Sequence, residues 1–189
     1  MAHRRNLLTD LHQLARHVDD DLGELAEHLA DVTDTLDHRV SGSAGLQLTV
    51  IRLGLPITLD ATATKPGDHA VTSLRLPLPL LSPKFEPGGR AVLYSTAPGT
   101  LVNLAADLTC GLIHSGSRNA VPELDVDLPL VPGGPLLTGF DDLSTLNRAL
   151  GVLIDQGQLP DAAYQTLSSQ AAAAHLTVLA LAHQVLGRR

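Results

Sequence analysis

Between residues 7 and 36 the apolar side chains fall at every third or fourth position: Leu7, Leu11, Leu14, Val18, Leu22, Leu25, Leu29, Val32 and Leu36. That spacing gathers them on one stripe of a helix, while Asp19, Asp20, Asp21, Glu24, Glu27, Asp31 and Asp34 occupy the rest of the surface. The pattern predicts a long amphipathic helix, with a stutter-like step between Leu14 and Leu22 that departs from a strict heptad. Such a seam either covers a sheet of its own chain or pairs with its copy. Both uses are expected, with the helix shared in a four-helix arrangement between two subunits.

Ser41-Gly42-Ser43-Ala44-Gly45 ends this pattern, and the period then changes to two. Alternating, β-branched runs at 46–53, 57–64, 71–78 and 90–96 predict four mainly antiparallel strands. Gly54-Leu55-Pro56, Lys65-Pro66-Gly67-Asp68 and residues 83–89 punctuate them. Pro77 and Pro79 lack the N–H a ladder requires, so the third strand ends there or lies on an edge. A second helix is expected over 101–114. Residues 115–139 are rich in Gly and Pro around Val131-Pro132-Gly133-Gly134-Pro135 and read as a linker.

Helical spacing returns with Leu143, Leu146, Leu150, Leu153 and Ile154, preceded by Asp141-Asp142 and followed by Gly157 as a stop. Pro160 opens another helix carrying Ala163, Tyr164, Leu167 and Ala171. A third follows His175-Leu176, with Thr177 as its cap. The fold class expected is α+β: an antiparallel sheet with flanking helices over 1–115, a linker over 116–140, and a small three-helix unit over 141–189.

Composition narrows the functions open to this chain of 189 residues. Hydrophobic residues at 44% and charged ones at 17% suit a packed domain rather than a disordered one. Aromatic residues, at 2%, are too few to build a stacking platform for bases or flat cofactors. A net charge of −7 argues against a general nucleic-acid coater, though not against a local RNA site. The one cysteine, Cys110, permits no internal disulfide and, lying in an apolar helical stretch, is expected to be a buried thiol. No apolar run approaches a membrane span and no signal-like segment opens the chain, so a cytoplasmic location is expected.

The residues capable of chemistry do not assemble into a catalytic or metal pattern. His12, His17, His28 and His38 form no i, i+4 pair, and His175 and His183 are separated by a helix break, so surface and helix-end roles are expected. Asp19-Asp20-Asp21 with Glu24 points in several directions from a helix, unlike a calcium loop. Ser41-Gly42-Ser43 and Ser115-Gly116-Ser117 lack the strand–elbow context of a nucleophile, and the prolines of 131–135 remove phosphate-binding amides. No enzyme, metal or cofactor is expected.

Leu146-Asn147-Arg148-Ala149-Leu150-Gly151-Val152-Leu153-Ile154-Asp155-Gln156 resembles the opening helix of ANTAR domains, which typically carries Ala-Lys-Gly before an apolar triplet. Ala162-Ala163-Tyr164 and Leu167-Ser168-Ser169 stand where that family's second helix has its Glu-Ala-aromatic and Leu-Arg patterns. Leu150 takes the place of the family lysine, and Ser168 or Ser169 that of the arginine. The preceding part resembles an abbreviated GAF domain, the usual partner of that module. This likeness rests on element order and on Gly89-Arg90-Ala91-Val92-Leu93-Tyr94-Ser95 leading to Pro98-Gly99.

The resemblance implies an RNA-binding transcription antitermination regulator. Its helical unit would recognise hairpin loops of a leader RNA, probing them as a homodimer joined through the N-terminal helix. Positions carried over are Asn147, Arg148, Gly151, Gln156 and Ser169, with Gly151 allowing close backbone approach or, equally, tight helix packing. The alternative is a dimeric protein-interaction scaffold of the same architecture that has lost RNA binding; a third is a small-molecule sensor.

Overall fold

The computed structural model describes residues 22–61, 70–114, 121–126 and 137–187. It is an α+β structure in which an antiparallel sheet is accompanied by helices. Two compact units divide the chain, Met1–Thr138 and Gly139–Arg189.

Helix α1 (Leu22–Arg39) carries the later part of the expected seam; positions 7–21 lie outside the described residues. Leu29, Val32 and Leu36 are buried, and Val40 extends the seam one step past the helix. The helix lies on β1 (Ser43–Arg52) and β2 (Leu55–Ala61), so this part of the seam is used within the chain. Strand β3 (Thr72–Pro77) ends at the proline that cannot continue a ladder, and a 3-10 turn, Leu78–Leu80, follows. After β4 (Arg90–Ser95), helix α2 (Thr100–His114) packs against β3 and against β5 (Glu123–Leu124). Strand β6 (Leu137–Thr138) completes the sheet, in the order β5-β3-β4-β1-β2-β6.

Cross-strand register explains why this sheet buries one side so fully. Leu46 faces Leu93 and Ala61, Leu48 faces Ala91 and Leu59, Val50 faces Ile57, and Leu74 and Leu76 face Leu93 and Ala91. Directly opposed residues share a side, so one surface is made of leucine, isoleucine, valine and alanine, all buried except the half-buried Ala61 at the strand end. A slip of one residue would carry that whole set to the other side, which is how the alternation specifies register.

The β1–β2 hairpin corrects a boundary. Gly54-Leu55-Pro56 was expected to separate the strands, but Arg52 pairs with Leu55 and only Leu53 and Gly54 form the loop. Both adopt positive φ, 51° and 74°, as a type I′ turn demands to match strand twist. Leu53 is poorly suited to that conformation, and its N–H is donated to Glu86 Oε1 at 3.2 Å. Leu53→Asn should therefore raise stability by about 0.5–1 kcal/mol. A higher urea midpoint with unchanged slope would show it; a lower midpoint would mean that Leu53 packing outweighs the turn.

The stretch expected as a linker, 116–140, contributes both edge strands, and the first compact unit accordingly extends to Thr138. Short-range composition concealed this because each strand has two residues and is recruited by its neighbour. At β5 the recruitment is polar. Arg75 pairs with Glu123, and Asp125, at φ 57°, accepts the Thr72 hydroxyl at 2.7 Å and the Ser73 N–H at 3.0 Å. These two bonds hold the Asp125 carboxyl below its ordinary value of 3.8. A depressed folded value means that the latch contributes in full above that ordinary value and is lost as pH falls through the lowered one. The Ser73 amide resonance should titrate with a midpoint below 3.8, and that titration should vanish in Asp125→Ala. A midpoint at or above 3.8 would contradict the latch.

Cys110 was expected inside the core and is exposed. The buried stripe of α2 is Leu101, Ala105, Leu108 and Leu112, and Cys110 falls outside it. No helix among the described residues is long and apolar enough to cross a membrane.

Candidate nucleic-acid interface

In the C-terminal unit, α3 (Phe140–Asp155), α4 (Pro160–Ala173) and α5 (Val178–Gly187) pack pairwise. Their boundaries follow from local chemistry. Asp141 and Asp142 sit in the first turn of α3, where the helix dipole favours negative charge. At its other end Gly157 takes φ 94°, Gly157 N–H is donated to Ile154 O at 2.8 Å, and Gln158 N–H to Leu153 O at 3.2 Å. This left-handed closure satisfies carbonyls that the helix leaves open. Pro160 supplies the first turn of α4, and Thr177 Oγ1 accepts the Ala180 N–H at 3.1 Å to cap α5.

The unit closes on small residues as well as leucines. Leu146, Ala149, Ala163, Leu167 and Ala182 have no measurable exposure, and Ala171 has 1%. On α3 the buried stripe is Leu146, Ala149, Val152 and Leu153. Ile154, expected among the apolar positions, is 40% exposed instead, and Leu143 and Leu150 are half-buried. The buried arc is narrower than the apolar pattern implied, because alanines let the helices approach closely over only part of the circumference.

The five candidate positions divide into three places. Asn147, Arg148 and Gly151 share the outward side of α3: Asn147 and Arg148 are exposed, and Gly151, one turn on, is half-buried. Gln156 is the exposed residue at the α3 C-terminus, next to Asp155. Ser169 is exposed on α4, whereas its neighbour Ser168 is half-buried with its hydroxyl shielded and unpartnered. A Cβ added at Gly151 meets nothing within 4 Å. Of the two roles expected for this glycine, tight packing between helices is thus not required by the chain itself.

No family model, curated protein or solved structure matches this chain.

Periodicity alone did not reveal the exposed apolar pair at the α3–α4 turn, Ile154 and Leu159, the latter 75% exposed. The available signal was Pro160: it starts α4 and leaves Leu159 just outside the helix, at φ −72° and ψ 151°. The surrounding charge is mixed. Over 141–189, Arg148, Arg188 and Arg189 stand against Asp141, Asp142, Asp155 and Asp161, a net of −1. Among the described residues no three His, Cys, Asp or Glu side chains are grouped to hold a metal ion. Cys110 and His114 are neighbours on α2, with the ring Nδ1 of His114 donating to the Cys110 carbonyl at 2.7 Å.

Proposed function

We propose that this chain is a non-enzymatic regulator of GAF–ANTAR type whose C-terminal helices bind hairpin loops of a leader RNA to control transcription antitermination. The observation that supports the reading is Gly151. A glycine in a helix interior costs about 0.5–1 kcal/mol relative to alanine, and nothing in the described chain occupies the space its missing side chain leaves. A polar helix side with Asn147 and Arg148 beside that gap suits a ligand that approaches the backbone closely. RNA loops, with unstacked base edges and phosphates, are such a ligand. Gln156 and Ser169 would add hydrogen bonds from the helix end and from α4.

The homodimer belongs to the same proposal. Leu29, Val32 and Leu36 are already buried within the chain, so the remaining seam positions, 7–25, are its candidates.

The first test is binding of the full chain to a two-hairpin RNA across a salt series. Saturable binding should weaken with salt, and Arg148→Gln should reduce the log–log slope by about 0.7–0.9 if it meets one phosphate. Gly151→Ala separates function from folding: stability should rise by about 0.5–1 kcal/mol while RNA affinity falls. No saturable binding at low salt sinks the RNA reading.

A protein-interaction scaffold that has lost RNA binding is favoured by one different observation, the exposed Asp155 and Asp161 flanking Leu159 and Gln156. Those carboxylates repel phosphate. In that case Gly151→Ala gains stability and the chain ignores RNA at every salt concentration.

A further inference from the structure

The second side of the sheet carries the buried Val92 and Tyr94 together with a set of polar residues whose hydrogen bonds are nearly all accounted for. Register places Gln47, Thr49, Thr58, Asp60, Ser73, Arg75 and Arg90 on this side, opposite to the leucine-rich one. Gln47 Nε2 donates to Asp60 Oδ1 at 2.8 Å, the Thr49 and Thr58 hydroxyls are 3.1 Å apart, and Arg75 pairs with Glu123. Arg90 is the exception among the charged groups. It is half-buried, its Nε is shielded from solvent, and no acceptor on the described residues meets it. The Ser73 hydroxyl, fully buried on the same side, is unpartnered as well.

A shielded guanidinium nitrogen without an acceptor costs free energy, and Arg90 sits beside groups that would help it hold an anion. Thr49 lies directly opposite it on β1, which sets their Cβ atoms about 4.5–5.5 Å apart. Thr49 is 3% exposed, so an ion there is screened from bulk water on that flank. Within the Thr49–Thr58 pair one hydroxyl donates to the other, and the second keeps its proton for a further acceptor. On the other flank Pro77 pairs with Arg90 and brings no side-chain acceptor of its own.

We infer that this side of the sheet binds a small oxyanion, a carboxylate or phosphate group, with the Arg90 guanidinium as anchor and the Thr49–Thr58 hydroxyl pair as flanking donor. The edge of a guanidinium formed by Nε and one Nη matches both anions in bidentate fashion, which an ammonium cannot do. The site belongs to the Met1–Thr138 unit and is independent of the RNA reading, which concerns the other. It would give the sheet domain a chemical input.

The test is thermal unfolding of the full chain in sodium chloride, phosphate or acetate at matched ionic strength. At least one oxyanion should raise the wild-type midpoint saturably above chloride, because a ligand of the folded state stabilises it by mass action. Which of the two does so identifies the group recognised. Arg90→Met keeps the apolar stem and should abolish the rise. Arg90→Lys keeps the charge but not the fork and should weaken the apparent affinity by about tenfold. No oxyanion-specific rise in the wild type overturns the inference, as does an equal rise in Arg90→Met. If Arg90→Met does not fold, an affinity in Arg90→Lys equal to the wild type overturns it.

Discussion

Leu167→Ala is expected to remove most of the stability of the C-terminal helical unit. Leu167 has no measurable exposure and lies on the buried side of α4 with Ala163 and Ala171. Truncating a buried leucine costs about 2–5 kcal/mol, the lost transfer energy plus the cavity left behind. A unit of this size has only a few kcal/mol to lose, at roughly 0.05–0.15 kcal/mol per residue. Ala163 and Ala171, one turn to either side on the same helix, are too short to fill the gap, so the cost should fall in the upper part of that range. In the full chain, amides of α3, α4 and α5 should lose hydrogen-exchange protection while those of β1, β3 and β4 keep theirs. Equal loss in both sets would mean that the units unfold together. RNA binding, if the proposed function holds, should disappear with the helices.

Ser95→Ala is expected to cost about 1–3 kcal/mol, far more than an ordinary serine truncation at a surface. Ser95 is fully buried where the end of β4, the start of β1 and the N-terminus of α2 meet. Its hydroxyl donates to the Gly42 carbonyl at 2.9 Å and accepts the Ala97 N–H at 3.1 Å. Thr100 Oγ1 lies 2.8 Å from both Ser95 Oγ and the Ala97 carbonyl. Removing one oxygen takes the acceptor from the half-buried Ala97 amide, and Thr100 loses one of its two acceptors. Because these groups act as a unit, Thr100→Ala should cost less in the Ser95→Ala background than alone. Urea midpoints of the two single variants and the double variant decide the matter. A loss below about 0.5 kcal/mol for Ser95→Ala would show that the network rearranges at no cost.

Much of the local architecture was legible because it depends on residues close in sequence. The three-or-four spacing of Leu29, Val32 and Leu36, the stop at Gly157, the Pro160 start and the Thr177 cap all act within a turn or two of the chain. The same holds for the end of β3 at Pro77, since a missing N–H is a property of one residue. The alternation in 46–50 also determined which side chains of that strand share the leucine-rich side of the sheet, whereas Ala91-Val92-Leu93 is apolar throughout and only strand pairing assigned its two sides.

What the tertiary structure decided involves partners far apart in sequence, or directions around a helix that several residues could equally have taken. Glu123, Leu124 and Asp125 form an edge strand and latch because Thr72, Ser73 and Arg75 wait across the sheet, and nothing within 116–140 announces that. The α2 side that packs was set by β3 and β5, which put Cys110 outside. For the candidate interface, the sequence by itself determined that Asn147, Arg148 and Gly151 share one side of a helix, by the 3.6-residue turn alone. Only the packing of three helices decided that this side is open at Gly151, and only the register of four strands decided that Arg90 stands beside Thr49 with no acceptor. Helical and strand periods are local and print themselves in the chain, whereas open space and missing partners are properties of everything that surrounds a residue.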